Sequence, residues 1–365
     1  MNLIAEFCQN HNGDLDVLEA MIYASKENGA THAKIQGLYS DELTSRPEFE
    51  DSKAKIYRPY QAEYQRLRKL DLSFETEKWF VEKCKEIGLI PMITVFTHSG
   101  VDRAFSAGFE SIKIASYDCS SLPMIKKVMT FASELVVSTG GAFWNEVQTT
   151  ANFIYQERKP TQKIALLHAR TIYPTPLENM GLYRMLLLGI YGFDFGLSDH
   201  SMPSTTNLDA SKIAIYLGAK YIERHFTVLD KNATKDGPIS ITPTELNSLK
   251  IFSELSNIDG IKLIDYPINT SPSFQYYPIR VEQNITNTSR DEIFEELKMQ
   301  NIMARKYFYP LCSNYPMYSN IQSAKKEFLP IANKTSEEIL CLPFYGSLEK
   351  HTAKTICNVI KACCK

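Results

Sequence analysis

The chain contains no long apolar run and no cluster of basic residues. None of its apolar stretches approaches the ~20 residues that a bilayer-spanning helix needs, so we expect no contact with a membrane. Its 40 lysines and arginines are balanced by 42 aspartates and glutamates, which gives a net charge of −2. Because no segment concentrates the basic residues, binding to nucleic acid or to an anionic membrane surface is not expected.

Export features and paired cysteine motifs are also missing. The segment from Asn2 to Glu6 shows no basic region followed by a long apolar stretch, so it does not look like a signal peptide. The eight cysteines include no Cys-x-x-Cys spacing. In a chain without an export signal the thiols are normally reduced, and we expect a cytoplasmic protein.

A glycine fingerprint for a dinucleotide is absent after the first apolar run, which weakens the prediction of a doubly wound open sheet. The sequence instead alternates eight short β-type runs with helical periodicity. The predicted strands are Leu3–Phe7, His32–Gln36, Leu89–Val95, Ser111–Ala115, Leu135–Ser138, Ile164–His168, Phe193–Ser198 and Tyr221–His225. The predicted helices include Leu15–Glu27, Gly100–Ala107, Leu122–Phe131, Asn145–Tyr155, Thr206–Leu217 and Pro243–Leu255. Eight such units in about 255 residues predict a (β/α)8 TIM barrel, and the open sheet is the alternative.

One stretch interrupts this alternation. Residues 45–76, between the second and third predicted strands, are rich in tyrosine, arginine and lysine. Two interpretations are open: a solvated insertion that contains a helix, or a loop over the barrel mouth that contacts an anionic or sugar ligand.

The repeating pattern ends near residue 257. We therefore divide the chain into a barrel over residues 1–262, a linker over 263–273 and a small α/β domain over 274–365. In the last domain the predicted strands are Tyr276–Val281 and Ile302–Tyr309, and the predicted helices are Arg290–Gln300 and Ser347–Cys363.

Two of the predicted strands lead directly to a histidine. Strand alternation places Ser198 with His200 on one face, and Glu223 with His225 on one face. Because the two strands belong to one β-helix-β unit, both imidazoles are expected at the same end of a parallel sheet. That arrangement is half of a divalent-metal site. The alternative is that each histidine is a hydrogen-bonded core residue.

Further candidate residues gather where the strands end, which is where the active site of a TIM barrel lies. They are Glu6, Lys34, Gln36, Thr94, Phe96, Lys113, Ser116, Asp118, Ser138, Thr171 and Tyr173. Two lysines with several hydroxyls suit a phosphate and a carboxylate. The alternative for the lysines is a structural ion pair with Glu6 or Glu223, since a buried lysine is costly unless paired. With a metal, the set suggests carbon–carbon bond formation from a phosphorylated small molecule.

Several of these segments resemble the sialic acid synthase family. The matching runs, spread over residues 1–258, are Ala5-Glu6, Asn10-His11-Asn12-Gly13, Ala33-Lys34-Ile35-Gln36, Lys113-Ile114-Ala115-Ser116, Ser138-Thr139-Gly140, Leu166-Leu167-His168, Ile172-Tyr173-Pro174-Thr175-Pro176, Ser198-Asp199-His200 and Glu223-Arg224-His225-Phe226-Thr227. The resemblance implies a synthase that condenses phosphoenolpyruvate with an N-acetylated amino-hexose aldehyde. The products would be a nonulosonic acid, for surface polysaccharide biosynthesis, and phosphate.

The resemblance also implies roles for individual residues. A divalent metal, Mn²⁺ or Mg²⁺, would be bound by His200 and His225, and Glu6 would manage water and proton transfer. The implied catalytic set is Glu6, Lys34, Lys113, His200 and His225. The implied phosphoenolpyruvate ligands are Lys34, Thr94, Lys113, Ser116, Ser138, Thr171, Tyr173 and Ser198. The implied acceptor-sugar ligands are Gln36, Phe96, Asp118, Tyr173 and Asp236.

The chain departs from the family pattern at several positions. Asp118 stands where the family commonly has glutamate, and Thr171 where it often has asparagine. The run Thr94-Val95-Phe96 lacks the usual proline, and Lys235-Asp236-Gly237-Pro238 replaces the usual Pro-Gly-Pro-Asp element. These changes bear on the acceptor sugar more than on the reaction.

The antifreeze-like domain of this family has no counterpart after the barrel. Residues 274–365 instead resemble the C-terminal part of sugar aminotransferases that use pyridoxal phosphate. The matching runs are Tyr277-Pro278-Ile279-Arg280, Ser289-Arg290-Asp291-Glu292, Arg305-Lys306-Tyr307-Phe308-Tyr309-Pro310 and Leu342-Pro343-Phe344-Tyr345. Because the part that carries the Schiff-base lysine has no counterpart, we expect no pyridoxal phosphate and no aminotransferase activity.

Three functional interpretations stay open. The first is the synthase, with phosphoenolpyruvate and a hexosamine-type sugar as small-molecule partners. The second is a related phosphoenolpyruvate condensation on another aldose. The third is a non-catalytic barrel that docks an aminotransferase through its C-terminal segment. A homo-oligomer, with contacts through the C-terminal domain, is the expected assembly.

Overall fold

Eight parallel strands close into a barrel in the first part of the chain. They are β1 (Asn2–Glu6), β2 (His32–Gly37), β3 (Ile90–Val95), β4 (Ser111–Ile114), β5 (Glu134–Ser138), β6 (Lys163–Ala169), β7 (Asp194–Asp199) and β8 (Tyr221–His225). Each strand pairs with the next one along the chain, and β8 pairs with β1. The predicted (β/α)8 barrel is therefore confirmed, and each of its eight predicted strands is found within one residue of its expected ends.

The computed structural model describes residues 1–53, 57–256, 258–264, 276–318, 320–343 and 350–364. The chain divides into two compact units, Met1–Leu246 and Asn247–Lys365. Among the described residues, no helix combines the length and the apolar character that crossing a membrane requires.

Helices follow the strands around the barrel. They are α1 (Leu15–Glu27), α2 (Tyr60–Arg68), α3 (Phe74–Glu86), α4 (His98–Ala107), α5 (Leu122–Met129), α6 (Trp144–Glu157), α7 (Tyr183–Leu188), α8 (Pro203–Thr206), α9 (Asp209–Tyr216) and α10 (Pro243–Leu255). Local capping explains several starts: the Asp14 side chain accepts from the backbone N–H groups of Asp16 and Val17 at the start of α1. The helix predicted from Thr206 to Leu217 is found as α9 but begins at Asp209, because left-handed backbone at Asn207 (φ 48°) and Leu208 (φ 63°) separates α8 from α9.

The amino-terminal end of the barrel is closed by a buried polar network. The Glu134 carboxylate accepts from Tyr221 Oη at 2.6 Å, lies 2.9 Å from His32 Nε2 and accepts from Ser111 Oγ. Burial alone would raise the pKa of Glu134, but these partners lower it to about 2. An apolar layer lies next along the barrel, formed by Ile4, Met92, Val136, Ala165, Leu167 and Tyr221. Water is thus excluded from this end, and the opposite end of the barrel is left for a site.

The second unit is built on a three-stranded antiparallel sheet in the order β11-β10-β9. Its elements are β9 (Ile261–Leu263), β10 (Tyr276–Val281), α11 (Gln283–Thr286), α12 (Arg290–Met299), α13 (Pro330–Glu338), β11 (Ile339–Pro343) and α14 (Lys350–Cys363). Ile251 and Leu255 of α10 pack in the same core as Ile279, Leu297 and Ile360. The units therefore divide after Leu246, inside α10, and not at residue 262 as expected.

Parts of this unit differ from the predictions. The strand expected over Ile302–Tyr309 is wrong: within this described segment only Arg305 forms a β-bridge, with Cys341, and the consecutive Tyr307 and Phe308 rings pack on each other at 4.1 Å. Side chains of a strand would point to opposite faces. The strands β9 and β11 and the helix α13 were not predicted. Most of the expected linker, and the start of the helix expected from Ser347, lie outside the described residues.

Candidate active site

Four charged side chains converge at the carboxyl ends of the barrel strands. Glu6 ends β1, Lys34 lies in β2, Lys113 in β4 and Glu223 in β8, and none is more than 5% exposed. The ammonium group of Lys34 contacts the Glu6 carboxylate and lies 2.9 Å from Glu223 Oε2. Lys113 Nζ lies 2.6 Å from the same oxygen of Glu223. Two positive and two negative groups thus neutralise one another where water is largely excluded.

The electrostatics of the two lysines differ. Burial alone would lower the pKa of Lys34, but the Glu223 and Glu6 carboxylates raise it above its ordinary value. Burial lowers the pKa of Lys113 to about 8, because Glu223 opposes it only in part and the charge of Lys34 adds to it. Burial alone would raise the pKa of Glu223. The ammonium groups of Lys113 and Lys34 outweigh burial and hold this pKa well below its ordinary range. Both lysines are therefore ion-paired, as the structural alternative predicted. Of the two, Lys113 loses its proton more easily.

The two predicted histidines face each other beside this cluster. His200 follows β7 and His225 ends β8, and their ring centroids are 5.5 Å apart. His200 Nδ1 donates to the Arg170 carbonyl at 3.0 Å, so its Nε2 carries the lone pair and accepts from Tyr173 Oη at 3.2 Å. Burial lowers the pKa of both imidazoles, that of His200 to about 3.

These imidazoles have the properties of metal ligands. Metal-bound histidines commonly donate their second ring nitrogen to a backbone carbonyl, as His200 does. Nδ1 of His225 is buried and finds no hydrogen-bond partner among the described residues. One ring has a fixed tautomer and the other an unused nitrogen, and two such neutral imidazoles fit a divalent cation.

A cysteine and an aspartate complete this side of the site. Cys8 Sγ donates to Asp236 Oδ2 at 2.9 Å, and ligand atoms of Cys8, His225 and Asp236 all lie within 4.8 Å of one another. Burial, and next Asp236, raise the pKa of the Cys8 thiol well above its ordinary value. Asp236 was a predicted site residue, whereas Cys8 was missed. The sequence offered one indication that Cys8 belongs to the site: it lies two residues after Glu6, at the end of a predicted strand.

The loop that carries Asp236 is tied to the loop after β1. Asn10 Nδ2 donates to the Phe226 carbonyl at 2.8 Å and to Ser240 Oγ at 2.9 Å, and Thr234 Oγ1 donates to Asn10 Oδ1 at 2.6 Å. A side chain at Gly237 would place its Cβ 2.1 Å from the Lys231 carbonyl oxygen. Glycine is thus required for the close turn that presents Asp236.

The hydroxyl candidates surround the charged cluster. Ser198 Oγ donates to Glu223 Oε1 at 2.7 Å, and Ser116 Oγ accepts from the Gly140 backbone N–H at 3.2 Å. Thr94 Oγ1 is buried without a hydrogen-bond partner among the described residues. Ser138 is buried, whereas Thr171 is exposed. The hydroxyls of Thr94 and Ser138, at the ends of β3 and β5, are thus placed on the same side of the barrel as the lysines.

The residues predicted for a sugar lie further out. Phe96 is half-buried and stacks on Tyr117 with a centroid distance of 6.3 Å, and Gln36 is half-buried in β2. Burial raises the pKa of Asp118 to about 6, and its Oδ2 lacks a hydrogen-bond partner among the described residues. The Tyr173 ring packs 4.2 Å from the His200 ring. These side chains offer an aromatic and polar surface at the barrel mouth.

Part of the insertion reaches the same end of the barrel. α2 lies within residues 45–76, and its Arg66 donates to Gln9 Oε1 in the loop after β1. The guanidinium also pairs with Glu63, and it is close enough to Asp236 for the two charges to interact. The helix therefore brings a cation, paired with Glu63, beside the strand ends. A contact of this segment with an anionic or sugar ligand stays a prediction.

Comparisons with known proteins identify the family and the fold of the barrel. Residues 21–259 match the model of the NeuB family. The N,N′-diacetyllegionaminic acid synthase of Campylobacter jejuni is 32% identical over 257 residues, which cover 68% of this chain and 73% of that protein. The crystal structure of N-acetylneuraminic acid (sialic acid) synthetase from Leptospira borgpetersenii shares the fold, with a TM-score of 0.61 at 24% identity, over 70% of this chain and 82% of that one.

The chain belongs to the NeuB family. It is accordingly an enzyme of the sialic acid synthase type, a transferase that forms a carbon–carbon bond, as the sequence predicted. The family match begins at residue 21, so the placement of Glu6 and Cys8 in the site rests on the structure.

The second resemblance is also confirmed. Residues 245–361 match the model of the DegT/DnrJ/EryC1/StrS aminotransferase family. The dTDP-4-amino-4,6-dideoxy-D-glucose transaminase of Escherichia coli is 41% identical over 106 residues, which cover 29% of this chain and 28% of that protein. The two family matches overlap over residues 245–259, where α10 enters the second unit.

Proposed function

We propose that this enzyme condenses phosphoenolpyruvate with the open-chain aldehyde of an N-acetylated amino-hexose, giving a nonulosonic acid and phosphate. The observation that carries the proposal is the pair of buried lysines beside two neutral imidazoles at the carboxyl end of the barrel. Curated relatives that are nonulosonic acid synthases, such as the legionaminic acid synthase of Campylobacter jejuni, support it. Surface polysaccharide biosynthesis in the cytoplasm is the setting that we infer for it.

Lys34 and Lys113 bind the phosphate and carboxylate of phosphoenolpyruvate in this proposal. Each charge-assisted hydrogen bond contributes roughly 1.5–3 kcal/mol. Hydroxyls direct the anion in this proposal; the proposed set is Thr94, Ser116, Ser138, Thr171, Tyr173 and Ser198. An incoming anion also adds negative charge beside Lys113, which favours the protonated form of that lysine.

His200 and His225 would hold a divalent cation, Mn²⁺ or Mg²⁺ on the family resemblance. When bound, such a cation supplies polarisation of the sugar aldehyde.

The bond changes follow from the two substrates. The π electrons between C2 and C3 of phosphoenolpyruvate form the new bond from C3 to the aldehyde carbon, and the aldehyde oxygen gains a proton. Water adds at C2, and cleavage of the bond between C2 and the phosphate oxygen releases phosphate. In this proposal Glu6 takes the proton of that water. Its carboxylate lies beside Lys34 and accepts from the Cys8 backbone N–H at 2.6 Å, which supports the role.

The acceptor sugar is proposed to lie against Gln36, Phe96, Asp118, Tyr173 and Asp236. None of these five residues is fully buried. The departure at Asp118, where the family commonly has glutamate, bears on which sugar is accepted.

Assembly as a homo-oligomer with contacts through the second unit is a further part of the proposal. Met299, Met303 and Phe308 of that unit are exposed, and exposed apolar side chains favour association. Light scattering of the whole chain checks it: a monomer at micromolar concentration contradicts this part alone.

The test is phosphate release from phosphoenolpyruvate with manganese and a panel of aldoses. Release should depend on an N-acetylated amino-hexose such as N-acetylmannosamine or a diacetamido deoxyhexose, and the product should contain three carbons more than the sugar. Lys127→Met, on the surface in α5, is the matched control for lysine variants of the site. Release with another aldose alone would favour the second interpretation. No release with any aldose would favour the non-catalytic barrel.

A further inference from the structure

We propose that the Cys8 thiolate and the Asp236 carboxylate are ligands of the metal, together with His225 and His200. The centre would then contain sulfur and would prefer Zn²⁺, Fe²⁺ or Co²⁺ to Mg²⁺. This inference builds on the metal centre of the proposed function and changes its ligand set and its metal.

The distances support a shared cation. Ligand atoms of Cys8, His225 and Asp236 lie within 4.8 Å of one another, and the His200 ring lies 5.5 Å from the His225 ring. The thiol proton of Cys8 lies between Sγ and Asp236 Oδ2, which are only 2.9 Å apart. A divalent cation that displaces this proton would be held by the same two atoms.

The burial of these groups points the same way. Cys8 is 6% exposed and His225 is 7% exposed. His225 Nδ1 is buried with no hydrogen-bond partner in the described part of the chain. A buried polar atom normally has a partner, so this unsatisfied nitrogen, on an imidazole that lies beside a thiol and a carboxylate, indicates a missing ligand.

The backbone at Cys8 gives an independent reason. Its φ is 46°, in the left-handed region that glycine adopts more easily than a residue with a side chain. Non-glycine residues in this conformation concentrate at functional sites. The Cys8 side chain is thus held in an unfavourable backbone conformation with its sulfur directed at Asp236.

Donor chemistry then selects the metal. Thiolates bind Zn²⁺, Co²⁺ and Fe²⁺ well, whereas Mg²⁺ prefers oxygen ligands. A thiolate and a carboxylate together carry two negative charges, which balance a divalent cation while the imidazoles remain neutral. Asp236 would therefore contact the metal in place of the acceptor sugar.

Cobalt titration of the metal-free, full-length protein tests the inference without activity. Co²⁺ bound to a thiolate gives a near-ultraviolet charge-transfer absorption, which imidazole and carboxylate ligands do not produce. We expect this band in the unaltered protein and its loss in Cys8→Ser and Cys8→Gly. Glycine suits the backbone at this position, so the second variant guards against loss of folding, which circular dichroism checks.

Affinity gives a second readout. Even outer-shell partners of a metal commonly contribute 10- to 100-fold to its affinity, so Cys8→Gly should weaken Co²⁺ binding by at least about tenfold. Asp236→Asn should weaken binding and keep the band. Cys84→Ala is the control: this cysteine is buried in α3, and its loss should change neither the band nor the affinity.

The outcomes separate this inference from the proposed function. The sulfur ligand would be refuted by any of three results. These are no charge-transfer band in the unaltered protein, no binding of cobalt by it, or a Cys8→Gly variant that matches it in both spectrum and affinity. Sugar-dependent phosphate release with a silent cobalt spectrum would leave the synthase standing with two histidine ligands. A strong band with no phosphate release from any aldose would refute the proposed reaction and leave the metal centre.

Discussion

Replacing Lys113 tests the proposed anion site with the least disturbance to its surroundings. Lys113→Met keeps most of the buried volume and removes the charge. Glu223 would not be left alone, because Lys34 Nζ stays 2.9 Å from Oε2 and Ser198 Oγ donates to Oε1 at 2.7 Å. The loss then falls mainly on phosphoenolpyruvate, as one charge-assisted hydrogen bond worth roughly 1.5–3 kcal/mol. At 1.4 kcal/mol for each factor of ten, KM for phosphoenolpyruvate should rise roughly 10- to 100-fold.

The pH dependence makes this prediction sharper. The pKa of Lys113 is lowered to about 8, so its charged form is lost as pH rises through that value. In the unaltered enzyme, KM for phosphoenolpyruvate should therefore rise above about pH 8, where a neutral amine can no longer pair with the anion. The variant should lack this rise, since it has no proton to lose. Steady-state phosphate release between pH 6.5 and 9.5 measures both, with Lys127→Met as the control.

An unchanged KM in Lys113→Met, with native circular dichroism, would refute the role of Lys113 in anion binding. The lysine would then serve only as the buried partner of Glu223. A KM that stays flat with pH in the unaltered enzyme would contradict the lowered pKa.

Three further predictions concern proton transfer, the metal and the closed end of the barrel. Glu6→Gln should lower kcat by about 10²- to 10⁴-fold with KM for phosphoenolpyruvate nearly unchanged, as steady-state kinetics will show; near-normal kcat would make Glu6 structural. His200→Ala and His225→Ala should each retain no manganese or cobalt after gel filtration, measured by atomic emission; retained metal would exclude that ligand. Glu134→Gln should destabilise the protein by about 3 kcal/mol in urea at neutral pH, because its pKa is lowered from 4.5 to about 2. That contribution is present above pH 4.5 and is lost as pH falls towards 2, so a urea midpoint equal to that of the unaltered protein at pH 7 would contradict it.

The barrel could be predicted from the sequence because its strands are short, apolar and regularly spaced by helices. Strand ends in a parallel barrel all lie at one rim, so Lys34, Lys113 and the two histidines could be assigned to one site without coordinates. An ion pair with Glu6 or Glu223 was among the alternatives, but the sharing of Glu223 Oε2 by both lysines could not be predicted, because it depends on side-chain conformations at the rim.

The contact between Cys8 and Asp236 lay beyond sequence reasoning for a physical reason. The two residues are 228 positions apart, and both lie on loops whose course depends on a left-handed residue and a close turn at Gly237. Periodicity describes strands and helices and carries no information about such loops.

The division of the chain was misplaced for a different reason. α10 is one continuous helix with a single capping box, in which Thr242 and Glu245 bond each other's backbone N–H groups. Its last residues, Ile251 and Leu255, pack in the second core. A helix that continues from one unit into the next keeps the same spacing of apolar residues throughout. The hydrophobic pattern therefore does not show where its side chains begin to pack in the second core. A chain shortened within the second unit, at residue 269 for example, would leave these apolar side chains without their core.

Phosphate release in water enriched in oxygen-18 tests the central claim most directly. If water adds at C2 and the bond between C2 and the phosphate oxygen breaks, released phosphate should contain no heavy oxygen. One phosphate should appear for each sugar consumed, and none without the sugar. Heavy oxygen in the phosphate, or release that does not need the sugar, would mean simple hydrolysis of phosphoenolpyruvate and would contradict the condensation.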